Sequence, residues 1–92
     1  MQMNITRAKE LFDNDELEQA LVVLYQIIGA DHLDVQALLL RGRIFYKMQK
    51  WGDAMNDYNA VIELDAENSE AKLGLEMAKN ILGYFTPEMF NP

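Results

Sequence analysis

Apolar residues recur along this chain at steps of three and four, with no sustained alternation of period two. That spacing lines one face of a helix, so the pattern predicts helix throughout. Prolines stand only at 87 and 92, so none interrupts a helix within 1–85. Turn chemistry divides the run. "DND" (13–15) separates the first two apolar segments. "GADHLD" (29–34) opens on a Gly suited to a helix C-cap and closes on Asp34, a good N-cap. "QKWGD" (49–53) is a third break, and "DAENSE" (65–70) a fourth, with Asn68 or Ser69 as N-cap. Five helices are expected, at roughly 3–13, 15–28, 35–48, 52–64 and 69–82. The connections are short, which makes consecutive helices antiparallel neighbours.

The chain also repeats itself. Slid along itself so that Ala8 falls on Gly42, it brings Leu11 onto Phe45, Leu17 onto Trp51, Ala20 onto Ala54, Leu24 onto Tyr58 and Ile28 onto Ile62. Continued down the chain, the same offset lays Ala37 on Ala71, Leu40 on Gly74, Gln49 on Gly83 and Trp51 on Phe85. Two helices per period, with small residues at matching sites, describe stacked helical hairpins. Antiparallel helices approach closely where side chains are small. Gly42 with Ala54, and Ala8 with Ala20, supply that closeness; Phe45 and Tyr58, like Leu11 and Leu24, fill the space beside the crossing.

The stretch "VQALLLRGRIFYKMQKWGDAMNDYNAVIELDAEN" (35–68) resembles a tetratricopeptide repeat. Gly42, Phe45, Ala54 and Tyr58 match the family's Gly, first aromatic, second-helix Ala and second aromatic. "ELDAEN" matches its exit, with Ala66 in place of proline. Residues 1–34 are a weaker copy, carried by Ala8, Leu11, Leu17, Ala20 and Leu24; His32 replaces the exit proline. Arg7 and Arg41 stand where the family usually has an apolar residue. The resemblance implies an all-α fold, a right-handed stack of antiparallel helix-turn-helix hairpins forming an α-solenoid, with five helices plus a short C-terminal turn. One domain would span 1–92: repeat 1 (1–34), repeat 2 (35–68), a capping helix (69–85) and an apolar tail (86–92). The helix at 69–82 keeps Ala71, Leu75 and Ala78 for packing. Lys72, Glu76 and Lys79 stand where Leu38, Gly42 and Phe45 stand one repeat earlier, giving a polar outer face of the kind repeat stacks need at an end.

Composition narrows the functional classes. Ninety-two residues make one domain that buries only about 60–65% of its surface. There is no cysteine, hence no disulfide, thiolate nucleophile or sulfur-bound metal. A net charge of −7 repels nucleic acid and anionic lipid. No apolar run reaches membrane-spanning length, and the start lacks a signal peptide's apolar stretch. The cytoplasm is the default location. One histidine (His32) and one serine (Ser69) do not make a nucleophile–base set, so no enzyme activity, catalytic residue or cofactor is expected. "DNDELE" (13–18) looks like a calcium loop, but Leu17 occupies a ligand position and Glu18 the Gly position, so no metal is expected either.

One charge pattern stands out. Residues 35–52 hold Arg41, Arg43, Lys47 and Lys50 and no acid. The bland account is a solvated face forming ion pairs with the acidic second helices. The functional account rests on the resemblance, which implies that first helices line a concave peptide groove. Here that groove would comprise Ile5, Lys9, Phe12 and Asp13, then Gln36, Leu39, Arg43, Tyr46 and Lys47, then Leu73, Met77 and Ile81. It would be largely apolar with a basic centre, suited to a peptide carrying an acidic group and an apolar anchor. Of the sites matching the family's clamp for chaperone-tail carboxylates, only Lys9 and Arg43 are basic. Ile5, Leu39, Leu73 and Met77 are apolar, so a chaperone-tail receptor is not expected. The competing reading is a self-associating scaffold, a homodimer burying the groove or the stripe Leu73, Met77 and Ile81. Partners would be protein or peptide, not nucleic acid or membrane, and the chain a monomer or weak homodimer. In the tail, Thr86 and Pro87 look like the start of a further helix. Met89 and Phe90 are expected to cap the end of the stack over Phe85, with groove occupation in cis or in trans, or disorder of the tail, as the alternatives.

Overall fold

In the computed structural model, which describes residues 4–85, five helices follow one another: α1 (Ile5–Asp13), α2 (Leu17–Ala30), α3 (Val35–Lys47), α4 (Trp51–Leu64) and α5 (Ser69–Phe85). Among the described residues there is no strand. The expectations for the tail, Thr86 through Phe90, lie outside the described residues.

Local chemistry explains most helix ends. Asn4 caps α1 by accepting from the Arg7 amide at 2.9 Å, so α1 starts at Ile5, slightly later than expected. Asp34 caps α3 through the Ala37 amide at 3.0 Å, and Asn68 caps α5 through the Ala71 amide at 2.9 Å. The turn after α1 differs from expectation. Asp15 takes a left-handed φ of 61°, and the Glu16 amide donates back to the Leu11 carbonyl at 2.8 Å. This closes a six-to-one turn and delays α2 to Leu17. The same device recurs at the matching place in the second hairpin: Gln49 has φ 63°, and the Lys50 amide reaches the Phe45 carbonyl at 2.8 Å. Gly29 is no C-cap; α2 runs through it to Ala30, and Asp31 closes the helix. No described Gly has positive φ. Likewise α5 continues through Gly83, past the helix end expected at about 82, to Phe85.

Each helix packs on the next, and α1, α3 and α5 also touch in sequence, whereas α2 and α4 do not meet. Arg41 meets Asp57 and Tyr46 meets Trp51, so α3 and α4 run antiparallel. The body measures 48 × 26 × 20 Å. Its core gathers Ala8, Leu11, Leu24, Leu40, Ile44, Ala54, Tyr58, Val61 and Ala71.

Tyr58 sits at the junction of three helices. A Cβ placed on Gly42 of α3 would lie 2.9 Å from the Tyr58 ring, and one on Gly74 of α5 would lie 2.6 Å from it. Gly42 thus makes room for a ring from α4, where the sequence suggested simple closeness of two helices. In the first hairpin the corresponding trio is Ala8, Leu24 and Leu40, all buried. A smaller central side chain there comes with larger flanks. Burial raises the Tyr58 hydroxyl pKa to about 12.

A buried ion pair fastens α3 to α4. Arg41 donates Nε to Asp57 Oδ2 at 2.8 Å and a terminal nitrogen to Oδ1 at 2.7 Å. Its guanidinium also lies 5.7 Å from the Tyr25 ring centre and 5.9 Å from that of Phe45. Asp57 is 3% exposed. The two partners feel the pair differently. Hydrogen bonding to Asp57 raises the Arg41 pKa, while burial raises that of Asp57 against the opposing pull of Arg41. The carboxylate therefore loses more by leaving water than its partner returns. In the first hairpin Arg7 matches Arg41, but Val23 matches Asp57, and the Arg7 Nε is buried without a hydrogen-bond partner.

This packing makes Gly74→Ala destabilising by about 1–3 kcal/mol in urea titration, despite the better helix propensity of Ala, because the ring is blocked on its far side by Gly42. Arg41→Met costs about 3–5 kcal/mol by leaving Asp57 alone, whereas Arg41→Met with Asp57→Val returns to within about 1 kcal/mol of the parent.

Candidate functional site

The residues singled out in the sequence lie on helices α1, α3 and α5, the three that touch in series. Their exposure divides them. Leu39 is buried and belongs to the core. Ile5, Phe12 and Tyr46 are half-buried against the core, and Tyr46 meets Trp51 edge-on at 4.9 Å. Ile81 is half-buried, while Lys9, Asp13 and Gln36 are exposed. Leu73 and Met77, one turn apart on α5, are 62% and 41% exposed.

The expected basic centre is internally neutralised. Arg43 grips Glu70 of α5 with two nitrogens, one of them bonding Oε1 at 2.7 Å. Lys47 reaches Asp15 at 2.9 Å and lies 5.4 Å from the Phe12 ring centre. Both pairs cross between units: Arg43–Glu70 joins α3 to α5, and Lys47–Asp15 joins α3 to the α1–α2 turn. Hydrogen bonding to Glu70 raises the Arg43 pKa, and the same bonds lower that of Glu70. Neither acid stands near the basic run in sequence, although a signal for one of them exists. Glu70 stands as far after Arg43 as Gln36 stands after Lys9. In the first unit an amide therefore occupies the place of Glu70, and Lys9 keeps its charge unmatched at that position.

Leu73 and Met77 are thus exposed apolar residues of α5, the Arg43–Glu70 and Lys47–Asp15 pairs are open to water, and Lys9 and Gln36 are exposed. His32 is an exposed turn residue. Among the described residues no cluster of three or more His, Cys, Asp or Glu is placed to hold a metal ion. No helix among them is long and apolar enough to cross a membrane. No protein-family model matches the chain, and neither curated proteins nor solved structures yield a match.

The Glu70 shift fixes a pH dependence. Its folded pKa lies below the ordinary 4.5, so its contribution is complete above that value and is lost as pH falls through the folded pKa. Melting temperature followed from about pH 7 to about pH 3 falls less steeply at the acid end for Glu70→Gln than for the parent. Both side chains are near 40% exposed, so the difference is small and shrinks in high salt.

Proposed function

We propose that the chain is a tetratricopeptide-type interaction module that binds a peptide or partner surface on the side formed by α1, α3 and α5. The observation that carries this reading is the packing order: the odd-numbered helices touch one another while α2 and α4 do not. A concave odd-numbered side is the simplest shape with that property. The recurrence of turn geometry at Asp15 and Gln49, and of caps at Asp34 and Asn68, supports it. The exposed ridge Leu73–Met77 supplies apolar area for an anchor residue. Because Arg43 and Lys47 already hold acids, apolar contact leads and charge follows. An acidic group on the peptide meets Lys9 directly and competes with Glu70 for Arg43. The cysteine-free sequence suits a reducing compartment, and we assign the module to the cytoplasm.

Peptides selected from a random library on the full chain test this, with affinities measured by titration calorimetry. Leu73→Glu with Met77→Glu, both on exposed positions, weakens binding about tenfold or more. Glu63→Lys on α4 leaves it unchanged. Equal affinity for the parent and the α5 variant would overturn the assignment.

A further inference from the structure

An open groove of about 610 Å³ lies between the start of α4 and the last turn of α5. Trp51, Met55 and Leu82 give it apolar surface; Lys50, Asp53 and Asn59 are among its polar groups. The fold repeats this groove one unit earlier, between the start of α2 and the end of α3, at about 400 Å³. The two correspond residue by residue under the repeat offset. Lys50 matches Glu16, Trp51 matches Leu17, Gly52 matches Glu18 and Leu82 matches Met48.

The pair is a built-in comparison. Three acids and no base line the earlier groove, at Asp15, Glu16 and Glu18. The later one has one charge of each sign, Lys50 and Asp53. Lys50 is exposed and holds no acid among the described residues, whereas Arg41, Arg43 and Lys47 of the same basic run are all paired. Gly52, which lines the groove, stands where the earlier one has a glutamate, and a Cβ built on it would meet nothing within 4 Å. The later groove is thus wider, less acidic and more aromatic than its copy.

We infer that residues 86–92, "TPEMFNP", seat in this groove and clasp α5 to α4. Attachment favours it: Leu82 lines the groove and lies three residues before Phe85, the last residue of α5, so the segment begins at the groove's edge. Pro87 lacks the amide that a continuing helix needs, which favours departure from the axis of α5. Length is sufficient. From Trp51 to Asn59 the groove follows about two turns of α4, or about 12 Å, and seven extended residues reach up to about 23 Å. Chemistry matches as well. Met89 and Phe90 suit Trp51 and Met55, and Glu88, the segment's one charge, is opposite in sign to Lys50. Strict repetition would instead seat the segment on Lys72, Glu76 and Lys79, which are charged. Leu82 stands two and a half turns beyond Leu73, on the opposite side of α5. The clasp therefore leaves the proposed partner face open.

The chain has no cysteine, so Asn91→Cys gives the full chain a single site for a nitroxide label. Backbone amide spectra of the isotope-labelled protein, with the nitroxide oxidised and then reduced, test the inference. In the oxidised form the signals of Trp51, Gly52 and Met55 are lost, and those of Lys9 and Arg43 keep their intensity. Gly52→Gln, which fills the seat but meets nothing in its own chain, restores the lost signals, and so does Phe90→Asp. A nitroxide-bearing chain without isotope, mixed with the labelled parent, leaves the parent's spectrum unchanged. Full intensity at Trp51, Gly52 and Met55 overturns the inference, as do losses at Lys9 and Arg43 in their place. Losses that persist in Gly52→Gln also overturn it. Losses in the mixture place the segment in a second copy and overturn it too.

Discussion

The Tyr58 ring, held between two glycines on two different helices, sets the spacing on which the second half of the molecule depends. Opposite edges of the ring, which comes from α4, meet Gly42 of α3 and Gly74 of α5. Beside it, Arg43 of α3 bonds Glu70 of α5. The first interface solves the same problem with other volumes, Leu24 between Ala8 and Leu40. What the two junctions share is their place in the fold and their burial; a small flank faces the central side chain in each, Gly42 in one and Ala8 in the other.

The basic residues of α3 act first as struts. Arg41 ties its own hairpin together from within, at a desolvation cost that Asp57 bears. Arg43 and Lys47 tie that hairpin to the units on either side, in geometry open to water. Two consequences follow for a partner. Arg43 and Lys47 are paired with acids where the acid-free run 35–52 suggested a positive field. On the proposed reading, a partner would be distinguished by apolar shape on α5 and by Lys9.

Helix number, order and spacing were legible in the sequence because periodicity and capping are local. Asp34 and Asn68 signalled their helix starts correctly. The start of α2 was misplaced because the left-handed residue closing α1 is Asp15, and its counterpart after α3 is Gln49; neither is the glycine by which such turns are usually recognised. Conversely, Gly29 and Gly83 look like stops and lie within helices. Of the stripe expected on α5, Leu73 and Met77 are exposed and Ile81 is half-buried. Ion pairing of the basic run with the second helices was expected and holds for Arg41 with Asp57 of α4; the partners of Arg43 and Lys47 were not foreseen, because Glu70 and Asp15 belong to the units on either side, far from the basic run in sequence. Pairings at that distance follow from the stacking register, which periodicity alone does not reveal.

The outward face of α5 has a consequence for assembly. A stack of hairpins is open-ended by geometry: the surface that receives one more unit is offered again by the unit just added. Were Lys72, Glu76 and Lys79 apolar like their counterparts Leu38, Gly42 and Phe45, successive molecules could join head to tail without closure and grow into filaments. Lys72, paired with Glu67, and Glu76 and Lys79, all exposed, would lose water under any further unit seated on this face. On the proposed stacking, the cost of such growth is set by one helix face and is independent of how stable the fold is.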